Sequence, residues 1–107
     1  MERYVWKAHL LPGKLDEYIH RHDTIWPEMT QLLNDAGIRN YTIWVNGDEL
    51  FGYYECDSVM EAGRIQAESP VVARWNEYMK DVMVMDTDPV TGAQPLLRQV
   101  FYHAGKR

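Results

Sequence analysis

Cysteine is nearly absent: Cys56 stands alone in 107 residues, so no internal disulfide can form and no multi-cysteine metal site can be built. Basic residues are scarce as well. Eleven Lys and Arg stand against sixteen Asp and Glu, a formal net charge of -5, and no Lys/Arg cluster is present to bind a nucleic-acid backbone or an anionic membrane. Lys80 and the Gly105-Lys106-Arg107 end are too sparse for that. No apolar run could span a bilayer, and no basic, apolar leader opens the chain. These absences lead us to expect a cytoplasmic protein with no nucleic-acid or membrane partner. Repeats, linkers and low-complexity segments are also missing. A chain of 107 residues suits one domain with a core, spanning 1–107, and is too short for separate cofactor and substrate domains.

What is plentiful is tryptophan and tyrosine, four and seven against two phenylalanines. Both side chains join a broad apolar surface to a polar tip, which suits interfaces and sugar-binding pockets as well as a filled core.

Alternation and helical spacing set the expected elements. Residues 3–11 alternate as a strand, with Tyr4, Trp6, Ala8 and Leu10 on one side and Val5, Lys7, His9 and Leu11 on the other. After the Pro12-Gly13 turn, Leu15, Tyr18 and Ile19 have helical spacing up to a break near Asp23. A second helix restarts with Thr24 as N-cap and Pro27 in its first turn, carries Met29, Leu32, Leu33 and Ala36, and stops at Gly37. Residues 38–45 and 49–56 form two strands joined by a hairpin at Asn46-Gly47. Ser58-Val59-Met60-Glu61 is a capping box for a helix through about Ala67, and Ser69-Pro70 starts another reaching about Met85. A polar loop over 86–95 leads to a fourth strand, Leu96–His103.

The resulting order is βαββαβ, an α+β, ferredoxin-like fold with an antiparallel sheet and helices on one face. Trp6, Trp44, Phe51 and Tyr53 leave strand after strand apolar on both sides, so the uncovered face needs a partner. A homodimer packing two sheets face to face, a dimeric α/β barrel, is expected.

The richest stretch chemically is Tyr18 to Glu28. Tyr18 and His22, four residues apart, share one helix face, while His20 points elsewhere. An imidazole beside a helix break, with a phenol one turn away, can handle protons near neutral pH. His20 and His22 diverge by about 200 degrees on a helix, so they cannot ligate one metal ion together. His9 and His103, on outer strands, could approach each other but have no carboxylate neighbours. Cys56 reads as a small buried residue, and Trp26 beside Pro27 as an anchor for the helix restart. Glu28, Glu55 and Asp81 are ordinary charges, any one of which could serve as a base partner to His22.

The pattern Tyr18-x-x-Arg21-His22-x-x-Ile25-Trp26-Pro27-Glu28, followed by Asn40-Tyr41, Phe51-Gly52, Arg74-Trp75, Tyr78-Met79, Val82-Met83 and Val100-Phe101-Tyr102, resembles that of L-rhamnose mutarotases over almost the whole chain. The resemblance implies a small homodimeric ferredoxin-like isomerase that interconverts the α and β anomers of a neutral deoxy sugar, L-rhamnose, without metal or cofactor. It further implies that His22 is the catalytic proton donor and that Tyr18, Tyr41 and Trp75 bind substrate. Many members carry a second tryptophan where this chain has Asn76, which makes Asn76 a further substrate-binding position bearing on which sugar is used. The segment Asp86-Thr87-Asp88-Pro89-Val90 also differs from the Asn-Pro-Asp-Asn-Ser-Pro of relatives. Two alternatives follow: an L-fucose mutarotase, or a monooxygenase or haem-degrading enzyme of the dimeric-barrel kind. A non-catalytic sugar-binding dimer is a third.

Overall fold

A computed structural model describes residues 1–92, 94–95 and 97–106. The elements are β1 (Glu2–Leu10), α1 (Leu15–Asp23), α2 (Pro27–Asp35), β2 (Arg39–Asn46), β3 (Glu49–Cys56), α3 (Val59–Glu68), α4 (Pro70–Met79) and β4 (Met83–Met85). The strands lie in the order β2-β3-β1-β4 with every neighbouring pair antiparallel. This is the expected ferredoxin-like α+β sheet, each crossover being a pair of short helices.

Alternation along the central strands decides what is buried. Trp6, Ala8 and Leu10 of β1 lie opposite Gly52, Leu50 and the end of the β2–β3 hairpin. With Tyr54 and Cys56 they pack beneath Met29, Ala62, Trp75 and Met79 of the helices. The residues between them, Lys7, Phe51 and Tyr53, face the other way and are only partly covered.

Local signals account for most helix ends. The Ser58 hydroxyl accepts the backbone N–H of Glu61, and Ser69 accepts those of Val71 and Val72 ahead of Pro70. The reciprocal half of the first capping box is not formed, because Glu61 pairs instead with Arg64. Thr24 is not an N-cap. It closes α1, its backbone N–H and hydroxyl both donating to the His20 carbonyl. Trp26 takes the N-cap of α2, since the residue before a proline is pushed into extended backbone and here has ψ 136°.

Two expectations about the C-terminal third are corrected. The helix from Ser69 ends at Met79 rather than near Met85, and Met83–Met85 instead pairs with Leu10–Ala8 as the fourth strand. The apolar run fits either period, and the open edge of β1 supplies backbone partners that a longer helix would forgo, including the bond from Leu11 N to the Val82 carbonyl. The place expected for Leu96–His103 is thereby taken. Leu96 lies outside the described residues, and 97–103 form no strand, leaving Val100 and Phe101 strongly exposed. His9 and His103 are consequently not neighbours on outer strands: β1 is an inner strand, and His9 Nδ1 meets Asp86 at 2.5 Å.

Candidate active site

α1 supplies the imidazole expected to handle protons. Tyr18 and His22 stack as their four-residue spacing dictates, ring centroids 4.3 Å apart, and the His22 imidazole meets the Trp75 indole edge-on at 5.5 Å. His22 Nδ1 lies 2.9 Å from the Tyr18 carbonyl. A carbonyl can only accept, so Nδ1 carries the hydrogen and Nε2 is the free nitrogen. Burial holds His22 below the ordinary imidazole range, only partly offset by that bond and by the Asp23 charge. The resting ring is therefore neutral at pH 7, with its Nε2 lone pair available.

Arg21, pointing away from the pocket, locks this helix in place. It donates to Glu17, to Asp81 and to the Tyr78 carbonyl at the end of α4, and it stacks 4.4 Å over the Tyr78 ring. Tyr78 and Trp26 in turn flank Trp75. Trp26 is thus the expected anchor, and Trp75 is both a core residue and a cavity wall.

Tyr41 lies beside a defect in β2. Between the pairs Arg39↔Glu55 and Thr42↔Tyr53 the strand carries one residue too many, a β-bulge, with Asn40 in left-handed backbone at φ 52°. Asparagine tolerates that conformation, and its side chain donates to Glu55. Tyr41 keeps the parity of Ile43 and Val45, which oppose Gly52 and Leu50, and so faces the helices, where its hydroxyl accepts the Trp6 indole N–H at 2.9 Å. Burial pushes the Tyr41 phenol up to about 12, and burial followed by the neighbouring Tyr41 pushes Tyr18 above the ordinary phenol range. Both hydroxyls stay protonated at any working pH.

These groups line one cavity of about 870 Å³ between sheet and helices, which includes Tyr18, His22, Tyr41, Trp75 and Asn76. The structure thus brings all five expected site residues to a single cavity, with Asn76 exposed at its margin. His20 is exposed and does not line it. Glu28, Glu55 and Asp81 do not line it either, being bound to Arg74, to Asn40 and Tyr53, and to Arg21. Asp23, which sequence reasoning passed over, is the acidic side chain at the wall. Trp6, Tyr4, Tyr54, Gln66 and Gln94 were missed too, and contribute a polar far end where Tyr4 donates to Gln94 and Gln66 to Tyr54. For Tyr4 and Tyr54 the available signal was their shared parity with Trp6 on the helix side of the strands. Among the described residues, no group of three or more His, Cys, Asp or Glu could hold a metal ion.

A family model described as L-rhamnose mutarotase matches residues 3–103. The chain belongs to that family. It is 40% identical to the L-rhamnose mutarotase of Jannaschia sp., over 90% of this chain and 93% of the relative, and 36% identical to that of Listeria monocytogenes, over 97% and 100%. The crystal structure of the L-rhamnose mutarotase from Formosa agariphila superposes with a TM-score of 0.77 at 30% identity, covering 96% of this chain and 99% of that one. Tetracenomycin F2 cyclase from Streptomyces glaucescens shares the fold alone, at TM-score 0.63 and 18% identity over the full length of both chains. None of these mutarotase relatives is named as a monooxygenase or haem-degrading enzyme, and oxygen chemistry is not favoured. Among the described residues, no helix is long and apolar enough to cross a membrane.

Proposed function

We propose that this chain, as a cytoplasmic homodimer of single domains, interconverts the anomers of L-rhamnose, with His22 as its catalytic residue. The observation that carries this reading is the free Nε2 of a neutral His22 inside a cavity walled by Tyr18, Tyr41 and Trp75. Mutarotation needs the proton of the anomeric hydroxyl removed and one delivered to the ring oxygen, both atoms being bonded to the same carbon. One imidazole can do both. Nε2 takes the proton from O1, the O1 electron pair forms the C=O bond as C1–O5 breaks, and the imidazolium returns the proton to O5. Closure on the opposite face of the aldehyde reverses the steps and restores the neutral ring.

The surroundings support each stage. The Tyr18 carbonyl holds the tautomer, and Asp23 at the wall favours the transient imidazolium through its charge. Trp75 offers an apolar surface to the C–H face of a deoxy sugar, while Tyr18, Tyr41 and Asn76 offer polar groups to its hydroxyls. A neutral substrate asks for no cationic clamp. L-fucose is the second reading, because Asn76 places an amide rather than an indole at the cavity margin.

The homodimer is supported by the uncovered sheet face, where Phe51, Tyr53, Trp44 and Val84 form an apolar surface, and by the exposed Leu97, Val100 and Phe101 beyond it. A second copy of the same face is the simplest cover.

Saturation-transfer NMR of anomer exchange on L-rhamnose and L-fucose tests the activity. We expect rapid exchange on L-rhamnose that falls roughly 10²- to 10⁴-fold in His22→Ala. Faster exchange on L-fucose would shift the substrate, and no exchange on either sugar by the folded protein would overturn the reading.

A further inference from the structure

We propose that Trp6 is a positioning residue, whose indole N–H leaves the Tyr41 hydroxyl to donate into the cavity, and that Gly52 exists to make room for that indole. The proposal rests on Tyr41 being a sugar contact, as read above, and it assigns the direction of that contact: Tyr41 gives a hydrogen bond to a sugar oxygen.

An indole nitrogen can only donate, so at 2.9 Å it occupies acceptor capacity on Tyr41 Oη. The phenol keeps its own proton, and no acceptor for it is found among the described residues. Tyr41 lines the cavity, so an oxygen entering there is the partner that proton lacks. Trp6 itself is fixed from below. It lies directly opposite Gly52 in the β1–β3 register, and a Cβ at position 52 would overlap the six- and five-membered parts of its indole. Gly52 does not have left-handed backbone, so the glycine is explained by space and not by conformation. The chain thus runs from a missing side chain in β3, through a buried tryptophan in β1, to the aim of a hydroxyl on the bulge of β2. The same bond pulls the Tyr41 phenol partway back from the rise that burial imposes.

The test uses Trp6→Phe, Tyr41→Phe, the double variant and Gly52→Ala in the full chain. Trp6→Phe keeps an aromatic ring and removes the donor, and should lower kcat/KM for L-rhamnose about five- to tenfold, the loss expected for one neutral hydrogen bond. In the double-mutant cycle Trp6→Phe should cost nothing further once Tyr41 is Phe. The 13Cζ resonance of Tyr41 should also move in Trp6→Phe without sugar present. Gly52→Ala should be damaging alone, because its Cβ overlaps the indole, and milder in a Trp6→Ala background, where the ring is gone. Additive losses in the cycle, or an unmoved Tyr41 resonance, would overturn the proposal. Absence of exchange in the unsubstituted protein would overturn the functional reading instead, and the Tyr41 resonance would still decide whether Trp6 governs that hydroxyl.

Discussion

On the helix-covered side of the sheet Trp6 is 8% exposed and its N–H is bonded to Tyr41, whereas on the other side Trp44, paired with Phe51, is 67% exposed. The two sides have similar side chains and different neighbours. Under the helices, aromatic rings meet edge to face, their polar tips are tied to one another, and a cavity with a neutral imidazole results. On the bare side, Val5, Phe51 and Tyr53 are partly covered and share one face, with Lys7 reaching over the Phe51 ring. The difference teaches that aromatic abundance has two uses here. One side uses ring geometry and hydrogen bonds to shape a site, and the other offers area.

Trp75→Ala would break the comparison most forcefully, because the indole is 8% exposed and supports both core and cavity. We expect a loss of about 3–5 kcal/mol in urea denaturation together with loss of anomer exchange. Trp44→Ala, by contrast, should leave monomer stability within about 0.5 kcal/mol. A similar cost at both positions would mean that the two sides do not differ as described.

Phe51→Asp sharpens the same contrast by placing a charge on the bare side, where the ring is only half covered. Sedimentation velocity should show a folded monomer in place of a dimer. A persisting dimer would move the interface elsewhere, with the exposed 97–102 segment the next surface to substitute.

Acid probes the covered side. Burial lowers the His22 value, so the unfolded chain binds that proton at a higher pH than the folded one. Its contribution to stability is complete above about pH 6.5 and drains away as pH falls through the lower folded value. The pH profile of kcat/KM should turn down on the acid side below about 6.5, since the neutral ring starts the proposed reaction. A profile that rises with falling pH would instead make the imidazolium the resting catalyst. A modest effect without consequence for the site should come from Ser58→Ala, which removes the cap of α3 and should cost about 1 kcal/mol by thermal or urea melting, with exchange unchanged.

Much of this arrangement was readable from the chain. The two-residue alternation of 3–11 and 49–56 sorted Trp6 from Lys7 and Tyr54 from Tyr53, and the four-residue step from Tyr18 to His22 placed both rings on one helix face. Other features resisted. Thr24 was misread because a threonine before a helix and one closing a helix look alike, and the extended backbone imposed by Pro27 belongs to Trp26. Val82 to Met85 satisfies helical and strand periods equally, so only the vacant edge of β1 could choose between them. Gln94 joined the cavity through a loop whose course no periodicity describes, and Asp23 joined it at the last residue of α1.

By itself, then, the sequence determined the order of strands and helices, the side of the sheet to which each aromatic belongs, and the pairing of Tyr18 with His22, because these follow from repeats of two and 3.6 residues along the chain. Tertiary structure decided the rest. That His22 is neutral, that the Tyr41 hydroxyl receives the Trp6 indole N–H from 35 residues away, and that Trp6 fills the space above Gly52 depend on contacts between distant segments. Burial and hydrogen-bond partners arise only when such segments meet, and no local pattern encodes them.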